Sequence, residues 1–299
     1  MHQEQTTLSI VVIFYNMQRE AERTLFSLST DYQENCDSSR YEVIALDNNS
    51  SEPLDAGMVE THGDNFRYEF LDLQTVSPAA AVNYGARIAK GKFVAIIVDG
   101  ARMASPGLVS RTLSCTGFFS QPAIFSLSWH LGPEVQNESM LKGYDQRTED
   151  ALLESINWRE NGTRLFDVAT LAQSSGKGFL GGVPTELSWI CIRRELFMRL
   201  GGFNEAFVSK GGGQVNHDFR NRLMTAPGIE PVMLLGEGVF HQFHGGVATN
   251  VPMAEHPANE FRAEYQRIHG EPCRPSPTPE PIYFGTMPEN ARKFVLPGY

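Results

Sequence analysis

Apolar runs separated by amphipathic segments organise the first hundred residues of the chain. Residues 8–15 (LSIVVIFY) are almost entirely apolar, as expected for a strand that is covered on both faces of a sheet. The segment that follows places its apolar residues at helical spacing, and the alternation then recurs along the chain. Repeated strand–helix–strand units predict a parallel sheet with helices on both faces. The other predicted strands of this region are residues 41–47, 66–73 and 92–99.

The pattern is less regular beyond residue 105. A strand is predicted at residues 187–192 (LSWICI) and a helix at residues 217–226 (HDFRNRLMTA). Two further strands are predicted at residues 230–235 and 238–244. After a predicted helix at residues 258–270, the chain becomes rich in proline, and we expect this tail to lie extended over the surface.

Composition narrows the classes of function. The chain has 299 residues and a formal net charge of −10, which argues against general binding to nucleic acid or to anionic membranes, because both need a basic surface. We find no signal-peptide pattern and no apolar run of the roughly 20 residues that would form an integral membrane segment. The cysteines are scattered without CxxC spacing, so reduced thiols in a cytoplasmic protein are expected.

Polar residues follow three of the predicted strands. Tyr15 and Asn16 end the first strand, Asp47 and Asn48 end the second, and Asp99 ends the fourth. Asp and Asn are common turn formers, so each residue alone has a structural explanation. Ligands of parallel α/β sheets bind outside the carboxyl ends of the strands, and three polar ends meeting at one edge predict a binding site there.

The second half contributes further candidates. His241 and His244 form an H-x-x-H pair flanked by glycines, which either binds a metal or serves a structural role. Asp218 precedes an apolar helical pattern, where it acts either as a helix N-cap or, like its neighbour His217, as a general base. The glycines just before them (KGGGQ) indicate a loop that closes on a ligand or a mobile surface loop.

Taken in order, these segments resemble the family 2 glycosyltransferases with a GT-A fold. The resemblance spans residues 8–246, and the second half also resembles the C-terminal part of polypeptide GalNAc- and galactosyltransferases. The segments that carry it are residues 8–29 (LSIVVIFYNMQREAERTLFSLS), 41–52 (YEVIALDNNSSE), 78–101 (PAAAVNYGARIAKGKFVAIIVDGA), 190–207 (ICIRRELFMRLGGFNEAF) and 218–223 (DFRNRL).

The resemblance implies transfer of a sugar from a nucleoside-diphosphate sugar to a saccharide or other hydroxyl acceptor. By position it assigns donor binding to the strand ends and to the residue after Asp99. It also implies a divalent cation, Mn²⁺ or Mg²⁺, at an Asp-x-Asp motif that begins at Asp99. The implied donor-binding residues are Tyr15, Asn16, Asp47, Asn48, Asp99 and Gly100.

Two departures from the family pattern affect the chemistry. Ala101 stands where the second, metal-binding acid is usual, and the late histidine of the second resemblance points to His241, with His244 beside it, as the substitute ligand. Asn216 stands where the catalytic base is usual, which leaves Asp218 or His217 for that role. An enzyme that retains the anomeric configuration would need no such base.

We therefore expect an α/β, GT-A-like domain at residues 1–250, with a mostly parallel sheet flanked by helices. Its nucleotide-binding half is residues 1–104 and its acceptor and metal half is residues 105–250, followed by a C-terminal helix and Pro-rich tail at residues 251–299. Two alternatives stay open. A sugar nucleotidyltransferase has a similar sheet, and a non-catalytic nucleotide-sugar-binding protein would explain Ala101 and Asn216.

Overall fold

A ten-stranded sheet organises the computed structural model of the protein, which describes residues 6–296. The outer ends of the two predicted regions, residues 1–5 and 297–299, lie outside the described residues. The strands are β1 (Leu8–Phe14), β2 (Tyr41–Asn48), β3 (Phe66–Leu71), β4 (Phe93–Ile97), β5 (Arg102–Ala104), β6 (Pro122–Leu131), β7 (Ala169–Leu171), β8 (Ile190–Arg193), β9 (Glu230–His241) and β10 (Ile282–Gly285).

Helices cover both faces of this sheet. Successive residues of β1 alternate between two apolar cores: Val11 and Ile13 pack into one, and Ile10 and Val12 into the other. A strand with apolar side chains on both faces is buried on both, which explains its uninterrupted apolar run. The helices are α1 (Gln18–Phe26), α2 (Ala56–Glu60), α3 (Ala79–Ile88), α4 (Leu108–Phe118), α5 (Gln136–Ser139), α6 (Gln146–Ser155), α7 (Arg194–Arg199), α8 (Val215–Met224) and α9 (Ala258–His269).

The strand order creates one point where the chain changes direction across the sheet. The order is β10-β9-β6-β8-β4-β1-β2-β3, and β1 pairs in parallel with both β2 and β4. The chain runs outward from β1 through β2 to β3, and then returns to the other side of β1 as β4. In open α/β sheets the crevice at such a switch point is where ligands bind.

The second half makes the sheet mixed. β8 pairs antiparallel with both β4 and β6, and β5 pairs antiparallel with β9. The predicted α/β fold with helix-flanked parallel strands is confirmed, and the antiparallel pairs lie where the sequence pattern is less regular. Within residues 6–296, no helix is both long enough and apolar enough to cross a membrane.

Two segments of the second half differ from the predictions. The two strands predicted around Gly236 form one continuous strand, β9, in which this glycine adopts a positive φ of 72° and the register with β6 shifts between Met233 and Gly238. The Pro-rich tail lies partly in the sheet, since β10 pairs in parallel with β9. A parallel pairing between tail and sheet gives no local periodicity in the sequence, so composition alone did not predict it.

Candidate functional site

A cleft of about 480 Å³ opens at the carboxyl ends of β1 and β4, at the switch point of the sheet. Its walls also include the end of β2, the start of α3, residues 186–188, the loop and first turn of α8, residues 244–249 and the start of α9. This volume falls within the roughly 300–1,000 Å³ of typical ligand pockets. The cleft therefore joins elements that are far apart in the sequence.

Most of the predicted site residues meet in this cleft. Its lining includes Tyr15, Asn16, Asn48, Asp99, His217 and His244. His241 lies directly behind the lining and is fully buried, with Nε2 2.9 Å from a carboxylate oxygen of Asp99. The side-chain oxygen of Asn16 also accepts a hydrogen bond from the Ser51 amide (2.9 Å), which ties the ends of β1 and β2 together.

Two predicted donor-binding residues face the interior instead. Both carboxylate oxygens of Asp47 are occupied: one accepts from the Ser50 amide (2.9 Å) and the other from the Leu54 amide (3.0 Å), and the side chain is fully buried. Gly100 is buried against Phe14, and a Cβ atom there would lie 2.2 Å from its ring. Asp47 thus shapes a loop and Gly100 allows close packing, and their contacts with a donor stay predictions.

Asp218 is also held by protein partners, and its catalytic role stays a prediction. Its two oxygens pair with Arg222 (2.6 Å) and with His269 (3.0 Å), and the side chain is buried away from the cleft lining. His217, one residue earlier on α8, does line the cleft. Burial lowers the pKa of His217 below its usual value, and nearby Glu186 only partly offsets this, so the imidazole is neutral near pH 7.

Asp99, His241 and His244 form a compact cluster. One ligand atom from each residue lies within 4.8 Å of the others, and the Nε2 atoms of the two histidines are 3.2 Å apart. Burial opposes the charged form of Asp99, but the neighbouring histidines and Arg102 outweigh it and hold the Asp99 pKa well below its usual range. Burial lowers the pKa of His241 to about 4, so this ring is neutral near pH 7.

The chemistry of this cluster fits a divalent cation. Nδ1 of His241 lies 2.7 Å from Oε1 of Gln136, an oxygen that can only accept, so the proton of the neutral ring belongs on Nδ1. The lone pair of Nε2 then faces a carboxylate oxygen of Asp99 at 2.9 Å. These two acceptors repel each other, and a positive ion between them would remove the repulsion. A carboxylate with two imidazoles suits Mn²⁺, which accepts both oxygen and imidazole ligands.

The structure also explains why the second acid of the usual motif is absent. The side chain of Ala101 is fully buried in one of the apolar cores, so an acid at this position would point away from the cleft. Its carbonyl accepts from the Gln242 amide (2.8 Å), and the next residue, Arg102, pairs with His241 in the β5–β9 ladder. This pairing brings the histidines of β9 alongside Asp99.

Sequence reasoning missed the positive charges of the cleft. Arg102, Lys210 and Arg262 all line it, although the chain has a net charge of −10. Arg102 donates to Ser128 (2.8 Å) and lies 3.5 Å from Asp99, while its buried Nε has no hydrogen-bond partner among the described residues. Three isolated basic residues gave no local signal, because they come together only in the folded chain.

Several buried polar atoms at the cleft also have no hydrogen-bond partner within residues 6–296. Buried polar groups are nearly always paired, so unpaired ones that line a cleft are suited to a polar ligand. These atoms are Oδ1 of Asn48, Oε1 of Gln214, Oδ1 of Asn216 and Nδ1 of His256. Gln214 and His256 have no distinguishing sequence motif, and the signal that all four atoms share is structural.

Comparisons with known proteins agree with the fold and with the resemblance of the first part of the chain. Residues 9–99 match the family model described as glycosyl transferase family 2, which confirms the predicted resemblance over this segment. A comparison with curated protein sequences finds no match.

Solved structures of S. aureus TarS share the fold, and the predicted GT-A-like architecture is thereby confirmed. The TarS crystal structure has 14% identity, a TM-score of 0.54, and covers 80% of this chain and 37% of TarS. TarS 1-349 in complex with UDP has 15% identity, a TM-score of 0.52, and covers 76% of this chain and 57% of that one. TarS 1-349 in complex with UDP-GlcNAc has 15% identity and a TM-score of 0.52, and the match covers 76% of this chain and 56% of that one. This chain therefore spans less than two thirds of these relatives.

Proposed function

We propose that this protein is a glycosyltransferase that moves a sugar from a nucleoside-diphosphate sugar to an acceptor hydroxyl. The observation that carries the proposal is the position of the cleft. It opens at the switch point between β1 and β4, inside the segment that matches the family model, and Asp99 faces two histidines there. We also propose that residues 1–104 form the nucleotide-binding half and residues 105–250 the acceptor and metal half. The cleft draws on both halves, and α9 beyond residue 250 contributes to its wall.

The donor is proposed to lie along the strand ends. Tyr15, Asn16 and Asn48 would contact the nucleoside, because they line the part of the cleft formed by β1 and β2. Arg102, Lys210 and Arg262 supply positive charge for a diphosphate in an otherwise acidic protein. TarS has been crystallised with UDP and with UDP-GlcNAc, which makes UDP the first nucleotide to test.

Asp99, His241 and His244 are proposed to hold a divalent cation, Mn²⁺ or Mg²⁺. When bound, such an ion neutralises charge that develops on a departing diphosphate. The protein's own part is to keep Asp99 ionised and the His241 imidazole neutral, which the groups around Asp99 and the burial of His241 do. Arg102 adds a fixed positive charge beside the same carboxylate.

His217 is the proposed general base. As the acceptor oxygen bonds to the anomeric carbon, the bond to the diphosphate breaks and the hydroxyl proton passes to the neutral imidazole. His217 lines the cleft, and its lowered pKa keeps it unprotonated near pH 7. Glu186, on the same wall, interacts favourably with the imidazolium that forms.

One observation favours a non-catalytic alternative. Asn216 lines the cleft at the usual position of the base, and the neighbouring Asp218 is held in ion pairs. A protein that binds nucleotide sugars without turnover would show these features too. The two proposals differ in whether His217 has a chemical role.

Turnover separates the proposals. The purified chain is incubated with UDP-, GDP- and dTDP-sugars and Mn²⁺, with and without simple saccharide acceptors, and nucleoside diphosphate release is measured. We expect release from at least one donor, and its loss in His217→Ala. Donor binding without release from any sugar nucleotide would favour the binding protein. Nucleotide exchange that depends on pyrophosphate would favour a nucleotidyltransferase.

A further inference from the structure

We propose that Gln136 and Asn250 are positioning residues that orient His241 and His244 for the cation. This inference rests on the proposed metal site and extends it to residues outside the cleft lining. Gln136 is fully buried on α5 and Asn250 is nearly so, and a chain of hydrogen bonds links them to both histidines.

Asn250 determines which groups donate and which accept in this series of hydrogen bonds. Three successive backbone amides, of His244 (3.2 Å), Gly245 (2.9 Å) and Gly246 (2.9 Å), converge on one terminal atom of its side chain. Amide N–H groups only donate, so that atom must be the oxygen. The other terminal atom is therefore the nitrogen, and it donates to Gln136 over 3.0 Å.

The orientation of Gln136 in turn determines which ring nitrogen of His241 carries the proton. The atom that receives the Asn250 donor must be Oε1, and the Nε2 of Gln136 donates to the carbonyl of His241 (3.0 Å). Oε1 lies 2.7 Å from Nδ1 of His241, so Nδ1 carries the proton and Nε2 keeps its lone pair. The backbone amide of Gln136 also donates to Nδ1 of His130 (3.0 Å), which holds α5 in place.

The same pair of residues places His244. By binding the amides of residues 244–246, Asn250 closes the turn that follows β9 and brings the Nε2 of His244 to 3.2 Å from that of His241. Outer hydrogen bonds that fix the tautomer and orientation of metal-ligating histidines typically change metal affinity by about 10–100-fold when removed. Gln136 sets the tautomer, and Asn250 sets the spacing.

Mn²⁺ binding to the intact chain tests this role directly. Mn²⁺ is titrated alone and with saturating UDP, and free Mn²⁺ is followed by electron paramagnetic resonance. We expect Gln136→Leu and Asn250→Leu each to weaken Mn²⁺ binding about 10–100-fold. Gln136→Glu keeps an acceptor for Nδ1 and is expected to bind Mn²⁺ more tightly than Gln136→Leu. UDP binding without metal should stay unchanged in all three variants, which shows that they are folded.

Asn137 provides the matched control. It neighbours Gln136 and donates to the carbonyls of Ala248 (2.9 Å) and Val251 (2.8 Å) in the same loop, without a link to either histidine. Asn137→Leu should change Mn²⁺ affinity by less than about threefold, against the larger loss expected at the linked positions. An equal loss in Asn137→Leu would mean that loop tightness alone matters, and the positioning role would be overturned.

A tautomer measurement provides the second readout. Long-range ¹H–¹⁵N correlation spectra of the metal-free chain should show His241 protonated on Nδ1, and Gln136→Leu should remove this preference. Unchanged spectra, or unchanged Mn²⁺ affinity in both leucine variants, would overturn the positioning role and leave the metal site standing. If the wild type binds no Mn²⁺ in either condition, the metal site and the positioning role both fail. Donor turnover is measured separately and is untouched by that result.

Discussion

The ends of β2 and β4 carry two similar carboxylates with different surroundings. Asp47 follows an apolar strand and is fully buried, with each oxygen taken by a backbone amide of the next loop. Asp99 also follows an apolar strand, but its oxygens face His241, His244 and Arg102 at the wall of the cleft. The first carboxylate is bound by backbone amides, and the second faces titratable and basic side chains.

This comparison shows that an acid at a strand end acquires its role from the partners that the next residues supply. Two residues after Asp47, Asn49 adopts a left-handed conformation with φ 62°, and the loop then turns back so that its amides donate to the acid. Asp99 is followed by a tightly packed Gly100 and by β5, which delivers Arg102 and pairs with the histidine strand. Mutation of Asp47 should therefore lower stability, whereas mutation of Asp99 should lower metal binding and sugar transfer.

The largest effect is expected for Asp99→Asn. Removing the only carboxylate of the cluster should abolish the enhancement of nucleotide binding by Mn²⁺ and lower sugar transfer by about 10³-fold or more, because a bound ion contributes several kcal/mol. Asn keeps an acceptor for the Ala101 amide, so the melting temperature should hardly change. Transfer rates and thermal melts measured on the same preparation check both statements.

His217→Ala is expected to lower transfer by about 10²-fold without affecting Mn²⁺ binding, since a general base contributes about 10²–10⁴-fold. In the wild type the rate should be flat near pH 7 and fall as the pH drops below the lowered His217 pKa, where the base becomes protonated. The pH profile of kcat measures this. A wild-type profile with no fall on the acid side, over the pH range in which the protein stays folded, would remove His217 from the mechanism.

Asp47→Asn should affect stability rather than chemistry. An amide at this position can accept from only one of the two backbone amides, and the other becomes a buried donor without a partner, which costs about 1–3 kcal/mol. We expect urea denaturation to show this loss, while the folded variant keeps the wild-type affinity for nucleotide. A large loss of nucleotide affinity with unchanged stability would instead support the predicted contact of Asp47 with the donor.

Glu237 extends the comparison to a buried carboxylate whose two donors both bind the same oxygen. Ser105 (2.6 Å) and the Gly107 amide (3.1 Å) both donate to the same oxygen, and burial raises the Glu237 pKa to about 7. The folded state thus binds this proton more tightly than the unfolded state does, so its contribution to stability falls as the pH rises from about 4.5 to 7.

Glu237→Gln removes that dependence. The variant should exceed the wild type in free energy of unfolding by on the order of 2 kcal/mol at pH 8, and the gap should close toward pH 5. Chemical denaturation at the two pH values provides the measurement. A gap that is the same at both values would mean that Glu237 stays ionised in the fold throughout.

The sequence predicted the strands of the first half well, because burial on both faces leaves uninterrupted apolar runs in β1 and β4. The sequence did not show which of two adjacent polar residues would face the cleft. Asp47 turns inward while Asn48 lines the cleft, and Asp218 turns inward while His217 lines it. Neighbouring side chains point in different directions, and which one faces the ligand depends on bends that have no sequence signature.

The supporting residues of the metal cluster were beyond sequence reasoning for a different reason. Gln136 lies 105 residues from His241, in a stretch where no periodicity marks α5. Asn250 lies in a loop without regular structure. Their importance comes only from long-range hydrogen bonds, whereas the H-x-x-H spacing of the histidines is local and visible.

We propose that Asp99 and the two histidines replace the usual pair of acids and couple metal binding to donor binding. Calorimetric titration of UDP and GDP into the wild type and His241→Ala, with and without Mn²⁺, tests it most directly. We predict that Mn²⁺ strengthens nucleotide binding to the wild type by at least about tenfold, and that His241→Ala abolishes this enhancement while binding without metal persists. An equal enhancement in His241→Ala, or no nucleotide binding to the wild type in either condition, would contradict the account.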